Sequence, residues 1–244
     1  MRNIAAVFRR ELASYFVTPV AYVFIIIFLI LSAAFTFYLG GFYERGQADL
    51  APFFNFHPWL YLFLIPAVSM RLWAEERKSG SIELLMTLPI TLAQAVWGKF
   101  LAAWCFAGIA LALTFPIWVT VNYLGKPDNG AILAAYIGSL LMAGGFLAIG
   151  ACMSALTRNQ VIAFILGVVG CVIFLLSGFP LVLDVVRSWA PAALVDAVAS
   201  LSFLSHFESI SKGVIDLRDL LYFALLIGCW LTATGIVLDM KKAN

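Results

Sequence analysis

The sequence predicts an all-α integral membrane protein: six transmembrane helices and an amphipathic N-terminal helix lying on the membrane surface. Three observations carry this prediction. Hydrophobic residues make up 64% of the 244 residues, charged residues make up only 11%, and the apolar residues gather into six long runs. Soluble domains are about half apolar and about one-quarter charged, so water cannot be the solvent for this surface. Lipid must serve instead.

Crossing the hydrocarbon core takes about 20 apolar residues per helix. The runs that meet this need are 20–42, 57–73, 99–124, 132–157, 160–183 and 220–238, and together they make residues 1–244 a single membrane domain. The triplet Ser32-Ala33-Ala34 invites comparison with a signal-peptide cleavage site. The apolar run around it continues uncharged to Tyr43, too long for a removable segment.

Orientation follows from the loop cations, which collect on the cytoplasmic side. With the N-terminus inside, ten of the 15 Lys and Arg residues lie there: Arg2, Arg9, Arg10, Arg71, Arg77, Lys78, Lys99, Arg158, Lys241 and Lys242. Five lie outside: Arg45, Lys126, Arg187, Lys212 and Arg218. Both termini are therefore expected in the cytoplasm. Trp59, Trp73, Trp97 and Trp118 fall near span ends, as an interfacial aromatic belt would place them.

Three segments outside the spans have a pattern of their own. In 1–18, Ile4, Val7, Phe8, Leu12, Tyr15 and Phe16 recur at helical spacing opposite Arg9, Arg10 and Ser14, an interfacial helix with cations toward anionic headgroups. Thr18-Pro19 ends it, because the residue before proline avoids the α region. In 74–90 a charged run, Glu75, Glu76, Arg77 and Lys78, precedes a break at Gly80. Ser81 is placed to cap a short helix from Ile82 that Leu88-Pro89 closes, and Thr91 with Gln94 forms a capping box opening the third span. This helix–break–helix suits a docking surface for a partner, or else a solvated connector. In 181–219, apolar residues repeat at helical spacing on either side of Pro191, predicting helices that dip into the outer leaflet. Asp216 is the expected N-cap of the last span.

Several chemistries find no footing. Gly98-Lys99 and Gly125-Lys126 lack the upstream glycine and the following Ser/Thr of a phosphate-binding loop, so no nucleotide site is expected. No catalytic constellation and no G-x-S-x-G elbow occur. Cys105, Cys152, Cys171 and Cys229 lie in apolar runs without metal or disulfide spacing. His206 with Glu208 would be a poor metal pair, since structural sites usually have four ligands. A net charge of +2 gives nucleic acid nothing to bind. No charge sits mid-span, which disfavours a proton-coupled carrier. Small residues line two helix faces, Gly144, Ala148 and Cys152, and Ala163, Gly167 and Cys171, suited to close packing within the bundle or between subunits. Pro116 and Asn122 are candidates for a substrate path, although Pro116 also reads as an ordinary kink.

Three stretches resemble a known family. Phe8-Arg-Arg-Glu-Leu-Ala-Ser-Tyr-Phe-Val-Thr-Pro-Val-Ala-Tyr22 is similar to the N-terminal segment of ABC-2-type permeases. The run from Met70 through Glu75-Glu-Arg-Lys-Ser-Gly-Ser81 to Pro89, with Gly98-Lys-Phe-Leu101, resembles that family's first cytoplasmic loop. Phe207-Glu-Ser-Ile-Ser-Lys-Gly-Val-Ile-Asp216 is similar to the stretch before the last helix in the gliding-motility-type branch, whose relatives include the nitrous-oxide-reductase maturation permease. The family often has Gly-Thr where this chain has Gly80-Ser81, which keeps the hydroxyl.

The resemblance implies the ABC-2 (type V exporter-like) permease fold in a bacterial inner membrane. It implies a dimer with a second, like or unlike, permease subunit, with or without a periplasmic domain, and separate ATPase subunits that carry ATP and Mg. It also implies a coupling helix over Glu75, Glu76, Arg77, Lys78, Ser81, Ile82, Glu83, Leu84 and Leu85. The function so implied is transport driven by a partner's ATP hydrolysis, with no catalysis by this chain. A membrane scaffold that transmits force without moving solute, or an ion-coupled carrier, are the rival readings.

Overall fold

A computed structural model describes residues 2–82 and 89–241, and every described segment of regular structure is helical. The chain opens with α1 (Arg2–Val17). Thr18, extended at ψ 137°, separates it from α2 (Pro19–Ala34), and a π-helical turn, Phe35–Leu39, finishes that span. The short α3 (Ala51–Phe54) leads to α4 (His57–Ser69) and α5 (Arg71–Ser79). Next come α6 (Leu92–Ala112) and α7 (Phe115–Leu124), then the long α8 (Asn129–Leu156) and α9 (Gln160–Leu176). Three short helices, α10 (Pro180–Arg187), α11 (Ala192–Ser200) and α12 (Phe203–Ser211), precede α13 (Leu217–Met240).

The architecture is arranged around α8, which packs against α4, α5, α6, α9, α12 and α13. Its sequence explains its place. Gly144, Ala148, Gly150 and Cys152 leave a narrow surface, so neighbouring helices approach closely, and both small-residue faces are buried inside this one chain.

Four helical stretches are long and apolar enough to cross a membrane: Pro19–Leu39, Leu92–Leu124, Asn129–Leu156 and Leu217–Met240. Two bent pairs, α9 with α10 at 77° and α11 with α12 at 59°, bring the possible total to six among the described residues. Two expected spans are interrupted rather than single helices. The run 57–73 is no single helix: α4 has 13 residues, about 20 Å of rise, and ends three residues beyond Pro66. Met70 keeps helical dihedrals (φ −57°, ψ −26°) and leads directly into α5. The run 160–183 stops at Leu176 and turns before Pro180. In the 181–219 segment α10 buries no side chain, whereas α12 sinks Phe203, Phe207 and Ile210 into the protein rather than into lipid.

Two local expectations hold. Thr91 accepts from the Gln94 N–H and Gln94 returns the bond to the Thr91 N–H, and Asp216 accepts from the Arg218 N–H.

Candidate functional site

The charged run of α5 folds back onto the protein. Leu72, Trp73 and Ala74 are buried, and Glu76 lies one turn beyond Trp73 on the same face. The Glu76 Oε1 is 2.8 Å from Lys99 Nζ, and Glu11 Oε2 of α1 is 3.2 Å from the same nitrogen. Lys99 is only 3% exposed, and its ammonium stands 5.3 Å above the centre of the Trp73 ring. A buried cation persists only when it is paired, and here two carboxylates and an aromatic face surround it. Burial works against the Glu11 carboxylate, yet Lys99 and Arg10 prevail and hold it below the ordinary carboxyl range. Glu76 Oε2 is buried without a hydrogen-bond partner. A cavity of about 280 Å³ opens beside the cluster, bordered by Tyr15, Thr18, Arg71 and Glu75.

Gly98 makes this approach of α1 to α6 possible. A Cβ there would lie 2.7 Å from the Val7 Cβ, a distance no real side chain tolerates. The Tyr15 ring stacks on Phe106 at 4.9 Å, so α1 is held by α6 through contacts along its length.

α5 is anchored at both ends to α8. The Ser154 hydroxyl accepts from the Trp73 and Ala74 N–H groups, at 3.1 and 3.0 Å, and donates to the Met70 carbonyl at 2.8 Å. It thereby satisfies two donors that a helix start leaves open. At the other end Arg77 donates to the Ala155 carbonyl at 2.6 Å, and Lys241 donates to the Leu156 carbonyl. Two cations thus sit on the negative end of the α8 dipole. Burial, and then repulsion from Arg158, lowers the Arg77 pKa. Burial followed by Arg77 and Arg158 does the same for Lys241.

The sequence-predicted site therefore divides. Glu76 and Arg77 are engaged inside the chain, and Glu75 pairs with Arg71 at 3.2 Å. Lys78, Ser79 and Gly80 are exposed. Gly80 takes the left-handed conformation (φ +73°) that stops α5, and among the described residues a Cβ there would meet nothing within 4 Å. Ser81 and Ile82 are helical, and Ile82 rests against the core. Glu83, Leu84 and Leu85 lie outside the described residues, as does the expected cap from Ser81. Trp73 is 1% exposed and belongs to the Lys99 cluster rather than to an interfacial belt. Pro116 is exposed in the first turn of α7, and Asn122 exchanges amide bonds of 3.0 and 3.1 Å with Asn129. The two do not meet the α5 cluster.

The family model for the ABC-2 family transporter protein matches residues 5–234. The chain belongs to the ABC-2 transporter family. No curated protein matches it. As an ABC-2 permease it is a multi-pass membrane protein and a component of a transport system. Sequence reasoning missed three participants in this permease's α5 cluster. Glu11 hid among the cations of α1, Lys99 read as a span-end charge, and Ser154 looked like one small residue among many. The only signal for Ser154 was a hydroxyl at the end of a Gly/Ala-rich helix.

Proposed function

We propose that this permease is the membrane-spanning subunit of an ABC transporter of the gliding-motility-type branch, in a bacterial inner membrane with both termini cytoplasmic. It pairs with a second permease subunit and takes its work from separate ATPase subunits, which hold ATP and Mg. The reading has six spans, with α4 and the first turn of α5 as the second, α9 with the first turn of α10 as the fifth, and the rest of α10 with α11 and α12 on the outer side. In support, contacts gather Arg77, Lys241 and the α8 end onto one face, and Lys99 with α1 joins the same α5. A cationic face of this kind is the cytoplasmic one.

The observation that carries the proposal is the contrast within one loop. α5 is fixed to α6, α8 and, through Lys99, α1 by Glu76, Arg77 and Ser154, while Lys78, Ser79 and Gly80 at its tip are exposed. A push from an ATPase on the tip would pass into three helices at once. Lys78, Ser81, Ile82, Glu83, Leu84 and Leu85 form the docking segment, and Glu75, Glu76 and Arg77 form its rigid stem.

Tagged permease isolated from its native membrane should bring an ATPase with it, and the complex should hydrolyse ATP. Leu85→Ala should lower ATPase recovery several-fold, whereas Glu76→Gln should keep the ATPase bound but reduce the response of hydrolysis to the permease. Recovery without any ATPase would overturn the reading. A functional complex that moves force but no solute would select the mechanical role instead.

A further inference from the structure

Four cations converge where α5 ends beside the turn between α8 and α9. Arg77 and Lys241 form the inner pair, each donating to a carbonyl at the end of α8. Lys78 and Arg158 form the outer pair. Both are exposed, and both border a cavity of about 410 Å³ that Thr157, Asn159, Gln160 and Val161 complete. Among the described residues, no carboxylate lies within ion-pair distance of any of the four. Glu75 and Glu76, just before Arg77 in the chain, are taken up by Arg71 and Lys99. Asp239 of α13 borders a separate cavity with Trp97 and Thr232.

The end of the α8 dipole supplies about half a negative charge, far short of four positive ones. The inner pair registers the crowding, since repulsion adds to burial in lowering both Arg77 and Lys241. A cluster of this kind around an open cavity attracts an anion from outside the chain. Asn159 contributes a neutral donor beside the cations. Its side-chain oxygen accepts from the Val161 N–H at 2.9 Å, which leaves its amide NH2 group available to donate. The start of α9 is thereby filled by its own cap, so the charges and not the helix end make the site.

The surface that adjoins the cavity indicates the kind of anion. Val161, on its border, begins an exposed stripe of α9 that continues through Ile165, Val169 and Ile173. These residues recur every fourth position and so share one helix face. The stripe runs about 18 Å along the helix, and one leaflet of bilayer hydrocarbon is about 15 Å thick. A soluble anion would meet the cations and leave the stripe unused, whereas an anionic lipid uses both. We infer that this cavity binds the headgroup phosphate of an anionic phospholipid, whose acyl chain lies along the α9 stripe. Arg158 offers the phosphate a planar fork of donors, and Lys78 offers a point charge. One bound lipid then ties the tip of α5 to the α8–α9 turn. The site stands apart from the ATPase docking proposed above, with which it shares Lys78.

The test titrates the full chain in detergent with phosphatidylglycerol and, separately, with phosphatidylcholine, counting bound lipids by native mass spectrometry. One phosphatidylglycerol should bind more tightly than any that follow it and more tightly than phosphatidylcholine. A cation beside a lipid headgroup is worth about fivefold in affinity. Lys78→Gln or Arg158→Gln should therefore weaken that first lipid about fivefold, and the two together about thirtyfold. Arg158→Lys should keep most of the affinity. Arg9→Gln removes an exposed cation of α1 that does not border the cavity, and should change nothing. Inorganic phosphate, lacking a tail, should displace the lipid only at much higher concentration, and Ile165→Asn should weaken the lipid without affecting phosphate. Equal binding of the two lipids, or a double variant that holds phosphatidylglycerol as the parent does, would overturn the site. Inorganic phosphate bound as tightly as the lipid, with Ile165→Asn without effect, would assign a soluble anion and overturn the lipid. ATPase recovery is not the readout, so failure here leaves the proposed function standing.

Discussion

Lys99 combines near-complete burial with a full charge, and its environment sets what each neighbouring substitution should do. Replacing it with methionine leaves Glu11 and Glu76 facing each other in a half-dry site. Removing one partner of a buried ion cluster costs about 3 kcal/mol, and Lys99→Met should lower the unfolding free energy in detergent by that order. Adding Glu11→Gln and Glu76→Gln removes the orphaned charges and should recover more than half of the loss. A triple variant no more stable than the single one would show that the cluster is not electrostatic. The pH dependence has a definite sign. Because Glu11 is held below its ordinary value in the folded protein, its contribution is complete above the unfolded carboxyl pKa, about 4.3, and disappears as pH falls through the lower folded value. Glu11→Gln should accordingly flatten the acid limb of a stability–pH curve and leave the neutral region shallow. Ser154→Ala would leave two N–H groups of α5 without an acceptor, a loss of about 1–3 kcal/mol.

Helices were legible in the sequence wherever periodicity, caps and breaks agreed. Thr18-Pro19, Gly80, Thr91 with Gln94, and Asp216 each mark a boundary at the residue where the structure has one, because each acts through its own backbone or its nearest neighbours. The α4–α5 passage was not legible in this way. Hydropathy runs smoothly through Met70, while the division there depends on Ser154, 84 residues away, supplying the bonds that the joint lacks. The charges of α5 misled for a related reason. A sequence of Glu, Glu, Arg and Lys reads as solvated, and only the position of Trp73 one turn earlier shows that Glu76 faces inward. Likewise α1 reads as a helix on lipid, though Gly98 had already made room for Val7 on α6. The capping box offers a check at this scale. Thr91→Ala should destabilise the start of α6 by about 1 kcal/mol, seen as faster amide exchange confined to its first turn. Because Asn3 also bonds Gln94 at 3.3 Å, the same variant should loosen the start of α1.

The whole molecule places its cationic helix ends together, and its topology is tested at that scale. A cysteine introduced at Asp128 should react with an impermeant reagent from outside, and tags at Met1 and Asn244 should be reached only from the cytoplasm. Labelling at Asp128 solely after lysis would reverse the orientation. The Lys99 cluster has a further consequence for biogenesis. The ribosome delivers Glu11 and then Glu76 before it delivers Lys99, so both counter-ions are already at the membrane when α6 arrives. A lone lysine in a nascent apolar segment carries an insertion penalty of up to about 3 kcal/mol, depending on depth. Here the earlier segments can lift that penalty at the moment of entry. With both carboxylates amidated, the helix at Leu92–Ala112 should insert less efficiently, or in a shifted frame, during translation, even where the finished protein would tolerate the change.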